Sequence, residues 1–103
     1  MGRTRVIESE PYRDLREVLS AADEKLSRNV EKAKTYLQNL TSEVDLEKAR
    51  AVVAAKNAGL SDYAIGVASG KTSHKSRIAF IEWAFALVEK HEWESDNEVE
   101  VLD

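Results

Sequence analysis

The sequence predicts an all-α protein: a long N-terminal helix, then a compact helical bundle, then an acidic C-terminal tail. Three observations support this. The 103 residues hold one proline and four glycines. Alternating β-branched patterns are almost absent, and apolar residues recur at three- and four-residue steps. A chain of this length has room for one domain, and 43% hydrophobic with 33% charged residues is a soluble globular composition.

Ser9 is the predicted N-cap of the first helix, with Pro11 in a first turn where a missing N–H costs nothing. Leu15, Leu19, Ala22, Leu26, Val30, Ala33, Leu37 and Leu40 then share one face of a helix over about 11–40. Arg13 with Glu17 and Glu24 with Arg28 support its solvated face as i,i+4 pairs. A stripe of about four heptads serves equally as one side of a core or as a homodimer seam through residues 11–40. Ser27-Arg28-Asn29, weak apolar anchors, mark where this helix could kink or break.

Thr41-Ser42 is expected to end the first helix and cap a second over about 43–57, with Asp45 as another cap candidate. Leu46, Ala49, Val52 and Val53 point inward from that second helix, and Gly59 suits a left-handed C-cap. Ser61 caps a short helix near 62–68, closed by Ser69-Gly70. Lys71-Thr72-Ser73 is a turn, and a last helix covers about 74–92 with Ile78, Phe80, Ile81, Trp83, Ala84, Phe85, Leu87 and Val88 forming its apolar arc. His91 falls at its end, and Trp93 between Glu92 and Glu94 is expected to be partly exposed and able to anchor a partner. Residues 94–103 carry too little apolar surface to repay ordering and read as an acidic tail.

Charge is unevenly distributed. Residues 89–103 set seven carboxylates against Lys90, a net −6, so residues 1–88 carry +2 within a total of −4. With no cysteine, disulfide frameworks, thiolate zinc sites and cysteine nucleophiles are excluded. No apolar run reaches the roughly 18 residues of a membrane span, and no signal-peptide core follows Met1. A cytoplasmic, membrane-free protein is the expectation. His74 and His91 fit no metal-binding spacing, and Gly59, Gly66 and Gly70 do not form a phosphate loop. No catalytic, metal or cofactor site is expected, and the chain reads as a non-enzyme.

The informative stretch is 51–70. A helix-turn-helix needs a small residue where two helices cross, a left-handed residue four positions on, and a branched apolar anchor six beyond that. Ala55, Gly59 and Ile65 meet these requirements in order, with Ala54, Ala58, Leu60 and Ala68 at small or apolar positions and Ser61 at the N-cap. Over residues 46–90 the sequence resembles the helix-turn-helix regulators of the lambda-repressor/Cro type. The resemblance is carried by Ala55, Gly59-Leu60-Ser61, Ile65 and the exit Ser69-Gly70-Lys71-Thr72. It implies a transcriptional regulator that lays one helix in the major groove of double-stranded DNA.

Two registers follow. In the first, the helix starting at Ser61 reads the groove and exposes Ser61, Asp62, Tyr63, Gly66 and Val67. In the second, closer to homeodomain-like arrangements, the last helix does so, with Lys71, Thr72, Ser73, His74, Lys75, Ser76 and Arg77 at its entrance. Both registers turn Lys71, Lys75 and Arg77 toward nucleic acid; taken together, the DNA-binding candidates are Ser61, Tyr63, Val67, Lys71, Thr72, Ser73, His74, Lys75 and Arg77, and Arg3 and Arg5 in a flexible arm over 1–8 could reach a groove or the backbone. The alternative is an acidic interaction module, such as an adaptor, antitoxin or inhibitor, that uses the helix-turn-helix as scaffold and binds a protein partner through its acidic tail.

Overall fold

The computed structural model describes residues 9–29 and 34–102, with the side chains of residue 35 and of 96–102 left aside. The proposed arm at Arg3 and Arg5 lies outside the described residues, as do Val30, Ala33 and Asp103. All-α is correct: the described residues form α1 (Glu10–Arg28), α2 (Lys34–Asn57), α3 (Asp62–Ser69) and α4 (His74–Leu102).

Ser9 caps α1 as expected, its Oγ accepting the Tyr12 N–H at 3.4 Å. The single helix over 11–40 is a misreading, because α1 ends at Asn29. There the backbone N–H bonds Leu26 O at 3.2 Å and Nδ2 bonds Lys25 O at 2.7 Å, so one asparagine closes two free carbonyls. The break falls at Ser27-Arg28-Asn29, the weak point of the apolar stripe, although apolar spacing runs on beyond it. Thr41-Ser42, the expected boundary, lies inside α2, where Ser42 Oγ donates back to Gln38 O at 3.1 Å instead of capping.

The first two helices are antiparallel. Late α1 meets early and middle α2 through Ala22, Leu26, Leu40 and Val44, and the exposed pair Lys25–Glu47 and the pair of half-buried Lys48 with exposed Asp23 lie alongside at 3.5 and 3.4 Å. At the other end Tyr12, Leu15 and Leu19 enter the main core with Ala49, Val52 and Ala55. The stripe assigned to a dimer through residues 11–40 is therefore largely consumed within the chain: Leu15, Leu19, Ala22 and Leu40 are all buried. Leu26 and Leu37 of the same stripe are half-buried.

α4 runs antiparallel to α2, placing Ile81 and Ala84 against the core and Leu87 and His91 beside Leu46. Two residues assigned to its apolar arc face outward instead: Trp83 is 37% exposed and Phe85 38%. The helix also continues to Leu102 and does not end near 92, so His91 is mid-helix and residues 94–102 are helical. No glycine or proline interrupts the run after Gly70, and glutamates favour helix over coil. None of the helices described is long and apolar enough to cross a membrane.

Ile65 on α3 is fully buried among residues of all the other helices. Ile65→Ala should lower stability by about 2–5 kcal/mol and Ile65→Val by about 0.5–1.5 kcal/mol, read from urea unfolding midpoints. Equal, small losses from both would mean that α3 does not depend on this anchor.

Candidate nucleic-acid interface

The turn between α2 and α3 has the local chemistry expected of it. Gly59 adopts φ +92°, a conformation that burdens any residue with a Cβ. Its N–H reaches Lys56 O at 3.0 Å and the Leu60 N–H reaches Ala55 O at 3.0 Å, the paired closure of a Schellman cap. Leu60 is then buried against the core, Ser61 Oγ accepts the Ala64 N–H at 3.2 Å, and α3 begins. Lys56 Nζ donates to Asp62 Oδ1 at 2.6 Å across this turn.

α3 ends the same way. Gly70, at φ +73°, and Lys71 donate their N–H groups to Val67 O and Gly66 O at 3.3 and 2.8 Å. Arg16 of α1, 52 residues away in sequence, bonds Ala68 O at 2.7 Å and closes a further carbonyl. Ser73 then caps α4, its Oγ accepting the Ser76 N–H at 3.1 Å.

The side chain of Arg77 joins α4 to α3. Its methylenes lie where a Cβ on Gly66 would stand, so this close crossing requires glycine. Beyond Gly66 the guanidinium sits 5.7 Å from the Tyr63 ring centroid, and Nη1 donates to Thr72 O at 3.1 Å. An arginine is thus held over an aromatic ring on the outer face of α3, where Tyr63 and Val67 are each 45% exposed.

The candidate residues do not all gather there. Tyr63, Thr72 and Arg77 are in mutual contact through the arginine, and Val67 is exposed on the same short helix. Ser61 and Ser73 are exposed, but each spends a lone pair on capping. His74 and Lys75 are exposed on the first turn of α4. Lys71 takes a different neighbour: its Nζ lies 5.5 Å from the Phe80 centroid, in a groove of about 350 Å³ also lined by Arg16, Asp23 and Lys48. Two members of the first register are corrected: Gly66 is buried beneath Arg77, and Asp62 is half-buried and paired with Lys56. Sequence reading missed Arg16 and the Arg77–Gly66 crossing, because neither contact leaves a local pattern.

No protein-family model, curated protein or solved structure matches this chain. Inference about function therefore rests on these residues themselves.

Gly66→Ala should displace Arg77 while gaining helix propensity of about 1 kcal/mol. In the native background the two effects oppose, whereas in an Arg77→Ala background the alanine should be tolerated better. A double-mutant cycle in urea should give a clear coupling between the positions. Strict additivity would show that the crossing carries no weight.

Proposed function

We propose that this chain is a non-enzymatic DNA-binding transcriptional regulator. It presents α3 and the first turn of α4 to the major groove through a helix-turn-helix of the lambda-repressor/Cro type. The observation that carries the reading is the Arg77 guanidinium held on Tyr63, above the exposed face of a short, doubly capped helix. With one N–H engaged by Thr72, the remaining guanidinium donors stay available for phosphate or a base edge. Tyr63 and Val67 add an aromatic hydroxyl and a contact for a thymine methyl. Lys75 and His74 flank the same approach, where the free N–H groups of the α4 start favour an anion.

Both registers merge under this reading, since Arg77 of α4 lies across α3. Phosphate contacts from the first turn of α4 position the protein, and base contacts come from Tyr63, Val67 and Arg77. A second reading, an interaction module working through the acidic half of α4, is favoured by Trp93. That ring is 64% exposed between Glu92 and Glu94. Removing residues 94–103 should leave DNA affinity equal or higher under the first reading, and abolish capture of a protein partner under the second.

Lys75→Ala combined with Arg77→Ala should weaken binding to random-sequence duplex on the order of tenfold at about 50 mM salt, and reduce the salt slope by about 1–2. Fluorescence anisotropy at about 50 and about 200 mM salt reads both quantities. Unchanged affinity and slope would place the interface elsewhere.

A further inference from the structure

The groove of about 350 Å³ beside the end of α3 collects charge from three elements: Arg16 of α1, Lys48 of α2 and Lys71 of the loop leaving α3. Asp23 is the one carboxylate in its lining. Three cations against one anion give the groove a net +2, within a chain whose total is −4.

The fold does not neutralise these cations as it does others. Lys25, Arg28, Lys56 and Lys90 each pair with a carboxylate of their own. Arg16 instead gives one N–H to a neutral acceptor, Ala68 O, at 2.7 Å, which leaves most of its donor fork unspent. Lys71 rests its Nζ on the Phe80 ring and meets no carboxylate among the described residues. Lys48, with a side chain only 22% exposed, reaches Asp23 at 3.4 Å, beyond the roughly 2.7–2.9 Å of a charge-assisted hydrogen bond. The acidic end of α4 does not compensate. Glu89 and Glu94 lie nine and fourteen residues past Phe80, about 14 and 21 Å along the helix, outside the screening length of about 10 Å at 0.1 M salt. Nor does the C-terminal dipole of α3 stand open to repel an anion: Gly66 O, Val67 O and Ala68 O are bonded by Lys71 N–H, Gly70 N–H and Arg16.

We propose that this groove is a phosphate-binding site, seating one phosphoryl group between the Arg16 fork and the ammonium groups of Lys48 and Lys71. Like charges held in one concavity repel one another and focus their field, so an anion that enters relieves the repulsion. A planar guanidinium with two ammonium groups is a donor set suited to a tetrahedral oxyanion. The volume lies at the low end of the roughly 300–1,000 Å³ of small-ligand pockets, enough for a phosphoryl group and part of its ester. Free phosphate, a phosphomonoester and one phosphate of a duplex backbone share this chemistry. The site stands independently of the DNA reading.

The test titrates inorganic phosphate into the full chain, with ionic strength held constant by chloride, and follows amide and guanidinium resonances by NMR. Saturable shifts should appear at Arg16, Lys48, Gly70 and Lys71 with millimolar phosphate. Lys71→Gln removes a side chain that bonds no carbonyl or carboxylate, so the fold should stand, and phosphate affinity should fall about tenfold. Lys48→Gln should have a like effect. Lys34→Gln, the same charge change at the exposed start of α2, should leave binding unchanged. A second arm separates the sources. Where the phosphate belongs to a duplex backbone, Lys48→Gln also weakens random-sequence duplex binding and lowers its salt slope by about 1. Where it is free or a monoester, Lys48→Gln loses phosphate affinity with duplex binding unaltered. Phosphate binding by a protein that binds no duplex would refute the DNA reading and leave the groove standing. Shifts that stay linear through the millimolar range would overturn the proposal. So would saturable shifts that neither Lys48→Gln nor Lys71→Gln weakens, or that Lys34→Gln weakens equally.

Discussion

An eight-residue helix is too short to persist by its own hydrogen bonds, and α3 must be held in place from outside. Everything on the candidate surface depends on that restraint. At its start, Gly59 turns the chain, Leu60 is drawn into the core and Ser61 satisfies a free N–H. At its end, Gly70 and Lys71 close two carbonyls and Arg16 reaches across from α1 to a third. Ile65 fixes its rotation by filling the space between the other helices. The rotation in turn decides which side chains remain outside: with Ala64, Ile65 and Ala68 buried, Tyr63 and Val67 face solvent.

That orientation gives Arg77 its place. A flexible arginine on an open helix end would lose considerable side-chain entropy on meeting a phosphate. Here part of that loss is already met by packing, because the methylenes rest on Gly66 and the guanidinium on Tyr63. The glycine that weakens α3 by propensity is therefore the residue that lets α4 cross it closely. Stability within α3 and definition of its surface are opposed at this one position. Lys71 repeats the device on the other side of the exit loop, its ammonium resting on Phe80, which stacks at 5.5 Å on Trp83.

What the sequence made legible was local. Ser9, Gly59, Ser61 and Gly70 act within a few residues of themselves, and their backbone roles could be read from spacing. The buried positions Ala55, Ile65, Ile81 and Ala84 follow from helical periodicity. Periodicity misled where apolar spacing continues from α1 into α2, so Ser27-Arg28-Asn29 reads only as a kink point and the helix end is placed at Thr41-Ser42. It failed again on α4, where apolar residues occupy two faces. Hydropathy alone cannot tell Ile81, which enters the core, from Trp83, which does not. Arg16 on Ala68 was unreadable in principle, since 52 residues separate a donor and acceptor that only the fold brings together. On the candidate surface the residue types were legible, but their grouping was not.

The length of α4 settles how its two charged ends act on one another. Lys75 and Glu94 are 19 residues apart, about 28 Å along the helix, or nearly three screening lengths at 0.1 M salt. Within one chain the acidic end is thus electrostatically remote from the basic end, and a total charge of −4 says little about what the first turn of α4 attracts. The side chain of Arg77, by contrast, turns away from the solvated start of α4 onto α3. The two cations that sequence groups together therefore differ in setting: Lys75 stands exposed on the first turn of α4, whereas Arg77 is held across α3 by Gly66, Tyr63 and Thr72.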